Sequence, residues 1–169
     1  KYGSNSIDQI RLTGGSQGYE NVYEVNIEKG RFFNNEEIEA GRNIVVIGHE
    51  LANALFLNGV DPIGKTIKIK NLKYVVAGVI EKEGQSFLGT PSNDYAALIP
   101  YQSFRRLYQT GTGHPFELGS AIGVKGNETD VGLVELENEV KGILRSRRGL
   151  GPVEKDNFAL NRPEAIANI

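Results

Sequence analysis

Apolar and polar positions change period several times along the chain, and each change marks an expected element. A short alternation, "IDQIRL" (residues 7–12), predicts a strand, and "VYEVNI" (22–27) sets Tyr23, Val25 and Ile27 on one face of another. "EKGRFFNNEEIEAGRN" (28–43) reads as a turn, an aromatic plug and an acidic surface segment. "NIVVI" (43–47) is a continuous β-branched run, the pattern of a buried strand. In "GHELANALFLNG" (48–59), Leu51, Ala54, Leu55 and Asn58 recur at helical spacing, and Gly59 supplies a stop. "KTIKIK" (65–70) alternates Ile67 and Ile69 with lysines, and "KYVVAGVI" (73–80) is again β-branched. With "NL" as the turn between them, the two runs predict a hairpin.

Further on, "EKEGQSFLGTPSND" (81–94) is a long polar loop with Phe87 and Leu88 at its middle. "YAALIP" (95–100) predicts a strand closed by Pro100. "YQSFRRLYQ" (101–109) predicts a short helix with Phe104, Leu107 and Tyr108 on one side. After the loop "TGTGHPFELGS" come "AIGVK" (121–125), "NETDVGLVELENEVKGILRSRRG" (127–149) and "NFALN" (157–161), a strand-helix-strand pattern. The helix carries an apolar stripe of Leu133, Leu136, Val140, Ile143 and Leu144. Thr129 or Asp130 suits its start and Gly149 its end. Glu135, Glu137 and Glu139 precede Lys141, Arg145, Arg147 and Arg148, which matches the helix dipole.

One motif invites a chemical reading. "GVDPIGKT" (59–66) fits the phosphate-loop pattern G-x-x-x-x-G-K-[ST] at Gly59, Gly64, Lys65 and Thr66. A phosphate loop needs a strand before it and a helix after it, so that backbone N–H groups at the helix N-terminus meet the phosphates. Here a helix is expected before and a strand after. Asp61 would add a negative charge among the phosphates. The stretch is therefore expected to be a turn, with Pro62 stiffening it, and not a nucleotide site.

Composition narrows the chemistry further. The 169 residues hold no cysteine, which excludes disulfides, thiolate metal sites and cysteine nucleophiles. A formal net charge of -2 gives no basic excess for nucleic acid or an anionic membrane. No apolar run approaches the roughly 20 residues of a membrane span. With no starting Met and no signal peptide, the chain reads as a piece of something longer. His49 and His114 have no ligand partners at zinc spacing. No G-x-S-x-G elbow occurs. Glu36, Glu37 and Glu39 read as a solvated acidic face, and Arg145 to Arg148 as a helix-end charge match. No catalytic residue, cofactor or metal is expected, which favours binding or transmission over an enzyme.

The order of motifs resembles the extracytoplasmic core domain of MacB-like ABC transporter permeases. The resemblance rests on Gly30, Arg31 and Phe33, followed by acids; on Val45, Val46, Ile47 and Gly48; on Leu55 and Phe56; on Asp61, Pro62, Ile63, Gly64 and Lys65; on Val76, Gly78 and Val79; and on Asp94 through Pro100. It covers roughly residues 22 to 104, and more weakly the strand-helix-strand pattern. It implies an α+β fold of two lobes. A porter-like strand-helix-strand lobe (1–39 with 116–169) would carry an inserted mixed α/β lobe of the Sabre type (40–115). Family members carry a further strand-helix segment before the "IDQIRL" equivalent, so the resemblance implies a porter-like lobe that is either N-terminally truncated or naturally reduced, and a missing strand would leave a sheet edge open.

The resemblance also implies a place and a role. The domain would sit on the periplasmic face of the inner membrane, as part of a membrane protein. It would transmit ATP-driven motion from a cytoplasmic ATPase that binds the nucleotide elsewhere. Its partners would be its own transmembrane helices, a second permease copy, and a periplasmic adaptor or exported cargo. Phe87 and Leu88, apolar residues in a polar loop, are the expected contact residues. Two other readings remain open at this point: a soluble or surface ligand-binding domain with a cleft between lobes, and a hydrolase whose site carries no recognised motif.

Overall fold

The β-branched runs become the inner strands of one mixed sheet. The computed structural model describes residues 1–8, 10–84, 92–109, 121–126 and 130–161. Six strands lie among them: β1 (Arg11–Gly15), β2 (Ile27–Gly30), β3 (Ile44–Ile47), β4 (Thr66–Ile69), β5 (Leu72–Ile80) and β6 (Ala96–Pro100). Their order is β1-β6-β3-β5-β2, and β4 also pairs with β5. β1 runs parallel to β6 and β3 parallel to β5, while the β3–β6, β2–β5 and β4–β5 pairs are antiparallel. β3 and β6 lie inside the sheet. All five residues of β6 are buried, and so are Val45, Val46 and Ile47. That is why "NIVVI" and "AALIP" show no alternation.

Side chains leave the sheet on two faces. Val45, Ile47, Ala97 and Ile99 join Leu51 and Leu55 of α3 (His49–Leu55), with Phe104 and Leu107 of α4 (Tyr101–Gln109) packed against them. Val46, Leu98 and Ile80 face the other way, toward Phe33 and toward Ile38 of α2 (Asn35–Glu39). β1 ends in two glycines with a neighbour on each side: a Cβ on Gly14 would stand 2.7 Å from the Cβ of Phe104 in α4, and one on Gly15 3.2 Å from the Phe33 ring. A buried hydrogen bond of 3.1 Å between the Tyr74 and Ser103 hydroxyls ties β5 to α4.

Three local expectations change. The alternation at 22–27 is not a strand. Tyr19–Val22 forms a helical turn (α1), Tyr19 and Tyr23 pack at 4.5 Å, and Glu24 takes φ 52, which breaks an extended run before β2 begins at Ile27. The acidic segment contains α2, closed by a reciprocal capping box between Asn34 and Glu37. The stretches 121–125 and 157–161 form no strand. Ile122 is 81% exposed, so that alternation has no surface to bury against.

Contacts divide the chain into two compact units, Lys1–Gly123 and Val124–Ile169. The sheet of the first unit joins β1 and β2, from residues 1–39, to four strands from 40–115. In the second unit the expected helix runs from Asp130 to Arg147 (α5). Thr129, expected as a cap, lies outside the described residues. The helix ends as expected at Gly149, which takes φ 65, with the Gly149 N–H bonded to Ser146 O and the Leu150 N–H to Arg145 O. That paired pattern satisfies the last carbonyls with a left-handed residue that glycine supplies without strain. The stripe of α5 is only half-buried, and its Ile143 is 53% exposed.

Candidate functional site

The motif residues of the first unit meet as packing joints. Gly30 takes φ 74, and a Cβ there would lie 2.2 Å from Ala77 O and 2.8 Å from Ile63 Cδ1. The start of "GRFF" thus lies against "AGV" and beneath the Ile63 of "DPIGK". Gly48, after β3, is pressed against the 3-10 turn Asn93–Tyr95: a Cβ there would stand 2.1 Å from Asn93 O and 2.3 Å from Asp94 O. Only a glycine allows either approach.

The expected turn at 59–66 is formed, with the helix before it and the strand after it that the sequence suggests. Asp61 Oδ1 accepts from the Ile63 N–H at 3.1 Å, Val76 O from the Gly64 N–H at 2.8 Å, and Pro62 O from the Lys65 N–H at 3.1 Å. The backbone N–H groups of Ile63, Gly64 and Lys65 are thus engaged within the protein. α3 precedes the turn and β4 follows it.

Phe87 and Leu88 lie outside the described residues, but both ends of their loop are well defined. Asp94 is buried, 6% exposed, and its carboxylate accepts from the Glu83 N–H at 2.9 Å (Oδ1) and the Gly84 N–H at 3.0 Å (Oδ2). Glu83 answers in the other direction. Its carboxylate accepts from the Asn93 backbone N–H at 2.8 Å and from Asn93 Nδ2 at 2.7 Å. Ser92 Oγ accepts from the Asp94 N–H at 3.1 Å, and Arg11 donates to Asn93 Oδ1. Residues 83–84 and 92–94 are therefore latched together by charge-assisted bonds in both directions, which are stronger than neutral ones. Burial holds the nearby Tyr19 phenol above its ordinary range, with the Arg11 charge pulling the other way. The signal for this latch was present in the sequence as an acid near each end of one polar loop. Asp94 belongs to a family motif, but the motif alone carries no sign of this role.

Of the remaining candidates, His49, Glu37, Arg145 and Arg148 have structural partners. His49 Nδ1 lies 2.6 Å from Glu28 Oε2, and His114 is outside the described residues. Glu37 pairs with both guanidinium nitrogens of Arg31 at 2.7 and 2.8 Å, and this bond holds its carboxyl below the usual range. Arg145 donates to Glu154 O and Gly151 O and pairs with Asp156, whose Oδ2 also meets Lys141 at 3.0 Å. Arg148 donates to Asn157 Oδ1 at 2.9 Å. Arg145 and Arg148 thus fasten residues 151–157 back onto α5. The Arg145 bond, then Lys141, lowers the Asp156 carboxyl. Among the described residues no group of three or more acidic or histidine side chains could hold a metal. No helix among them is long and apolar enough to cross a membrane.

Comparison with known proteins gives consistent matches. The family model of the MacB-like periplasmic core domain matches residues 1–138. The macrolide export ATP-binding/permease protein MacB of Nitrobacter winogradskyi is 35% identical over 85 residues, covering 50% of this chain and 13% of that protein. The protein of the same name from Aggregatibacter actinomycetemcomitans is 26% identical over 159 residues, 94% of this chain and 23% of its own length. The chain thus spans less than a quarter of either relative. The crystal structure of the periplasmic region of MacB from Actinobacillus actinomycetemcomitans aligns with a TM-score of 0.65 at 24% identity. It covers 89% of this chain and 62% of that one, and establishes likeness of fold.

Proposed function

From the premise that this chain belongs to the MacB-like periplasmic core domain family, we propose that it is the extracytoplasmic domain of an ABC export permease, where it relays ATP-driven motion and meets partner or cargo. The family match over residues 1–138 carries this reading. The two relatives are named as macrolide export ATP-binding/permease proteins. In this proposal the domain itself performs no catalysis, and a cytoplasmic ATPase binds the nucleotide. Its own transmembrane helices and a second permease copy are its immediate partners, with a periplasmic adaptor or the exported cargo beyond them. Sequencing the coding DNA on both sides tests the placement. Apolar runs of about 20 residues upstream and downstream support a permease. Their absence contradicts it and returns the chain to a ligand-binding domain.

The loop 85–91 is the proposed contact surface. The latch of Glu83, Asn93 and Asp94 supports that reading, because it gives a polar loop a fixed base. A Phe87→Ala, Leu88→Ala variant of the full-length protein is expected to lose export in cells at unchanged expression. Unchanged export removes the loop from the mechanism.

The division into a porter-like lobe (1–39 with 116–169) and an insert (40–115) is carried over from the resemblance. Limited proteolysis tests it. Survival of 40–115 apart from 1–39 supports that division. Joint survival of 1–123 replaces it with the units that the contacts draw.

A further inference from the structure

Between α3 and Asp61 the chain holds its one Asn-Gly pair, Asn58–Gly59. Asn58 takes φ 59 and Gly59 φ 72, the two left-handed residues of a type I′ turn. One backbone bond closes that turn, from the Val60 N–H to Leu57 O, and at 3.4 Å it is longer than an ordinary hydrogen bond. Residues 57 to 60 are all exposed, and even the apolar Leu57 is 52% exposed. A Cβ on Gly59 would meet nothing within 4 Å. The pair stands in open solvent, with room for its backbone to rotate.

Asparagine is chemically labile where the next backbone nitrogen can reach its carboxamide. Among the described residues, no hydrogen bond engages the Asn58 side chain or the Gly59 N–H. Without a Cβ, Gly59 also leaves its nitrogen unhindered. Other asparagines are held. Asn5 precedes the small Ser6, but its Nδ2 donates to Leu55 O at 2.9 Å and its backbone pairs with Tyr2 in both directions. Asn93 precedes Asp94, but its Nδ2 donates to Glu83 Oε1 at 2.7 Å, and the Asp94 N–H that would have to attack it donates to Ser92 Oγ. Asn34 Oδ1 accepts from the Glu37 N–H at 2.9 Å.

We propose that Asn58 is a site of spontaneous deamidation. The Gly59 nitrogen gives its proton to a solvent base and attacks the Asn58 Cγ. An N–C bond forms and closes a succinimide ring, while the Cγ–Nδ2 bond breaks and the nitrogen leaves, reprotonated, as ammonia. Water then opens the ring at either carbonyl and leaves aspartate or isoaspartate at the position. No electrons are transferred, and water is the one co-reactant. The attack requires Asn58 to turn out of its left-handed conformation, and the long Val60–Leu57 bond is what the turn gives up. Either product adds a negative charge beside the segment in which Asp61 caps the Ile63 N–H. Isoaspartate also lengthens the main chain by one carbon. The inference is independent of the transport reading, because it concerns the chemistry of this chain alone.

Ageing the folded 169-residue chain in warm, mildly alkaline buffer, with intact mass and peptide mapping over time, tests it. A gain of one mass unit is expected, mapped to Asn58 and divided between aspartate and isoaspartate. Asn58 is expected to react at least tenfold faster than Asn5, Asn34 or Asn93 in the same sample. In urea the three held asparagines should accelerate more than Asn58, which narrows the gap. Asn58→Gln is expected to remove the early mass gain, and Gly59→Ala to slow it at least tenfold. Should either variant disturb the turn, the site-by-site rates of the unaltered chain, folded against unfolded, decide instead. Four results overturn the proposal: no gain at Asn58 while the unfolded chain reacts there, a folded rate at Asn58 at least tenfold below its unfolded rate, an early gain mapped to another residue, or an early gain that survives Asn58→Gln.

Discussion

Asp94→Ala should weaken the first unit more than its small size implies. The carboxylate is 6% exposed and accepts from two backbone N–H groups, those of Glu83 and Gly84. Hydrogen bonds to charged groups contribute about 1.5–3 kcal/mol each, so the two together set an upper range of roughly 3–6 kcal/mol. Residues 83 and 84 lie near the surface, and water can reach part of what alanine leaves bare. That brings the expected loss to about 3 kcal/mol, a large share of the roughly 5–15 kcal/mol of a typical domain. Asp94→Asn keeps the shape and one acceptor, and should lose about half as much. Urea denaturation reads both variants, with the midpoint falling at unchanged slope. Amide exchange adds a local signature, because Glu83 and Gly84 should lose protection while the β3–β6 ladder keeps its own. An alanine variant within about 0.5 kcal/mol of the parent would refute the latch.

Other changes follow from the same geometry. Gly48→Ala forces a Cβ to within 2.1 Å of Asn93 O and should cost about 3 kcal/mol, read as a lowered urea midpoint. Mg-ATP titrated into the chain should give no saturable heat, and Lys65→Ala should change nothing; saturable binding that Lys65→Ala abolishes would contradict the turn at 59–66. The Asp156 carboxyl is lowered when folded by Arg145 and Lys141. Its contribution is therefore present above the ordinary carboxylate range and lost as pH falls through the lowered value. Exchange protection of the Leu150 amide should fall in acid, and Asp156→Asn should remove that pH dependence.

Where burial follows a simple period, the chain announces its fold. β3, β5 and β6 could be read because inner strands are apolar without interruption, and α3 and α4 because their buried residues recur every three or four positions. α2 was missed although "NNEE" holds its capping box, because an acidic surface segment outweighed the cap. The alternation at 22–27 failed for a different reason. Val25 is buried, yet it reaches the core from a turn in which Glu24 reverses φ. The half-buried stripe of α5 was legible, but its flanking strands were not formed, since a strand depends on partners that periodicity does not supply. Of the site, the motif positions were legible as a family pattern. Their reason was not, because Gly30 against Ala77 and Gly48 against Asn93 are contacts between distant parts of the chain.

The most direct measurement is the distance between two copies of this domain in the full-length protein in a membrane. A spin label at the exposed Lys73 of each copy would report it by pulsed electron resonance, without nucleotide and with trapped ATP. A shift in the distance distribution on ATP binding is the expected result. Identical distributions in both states would contradict a role in relaying ATP-driven motion.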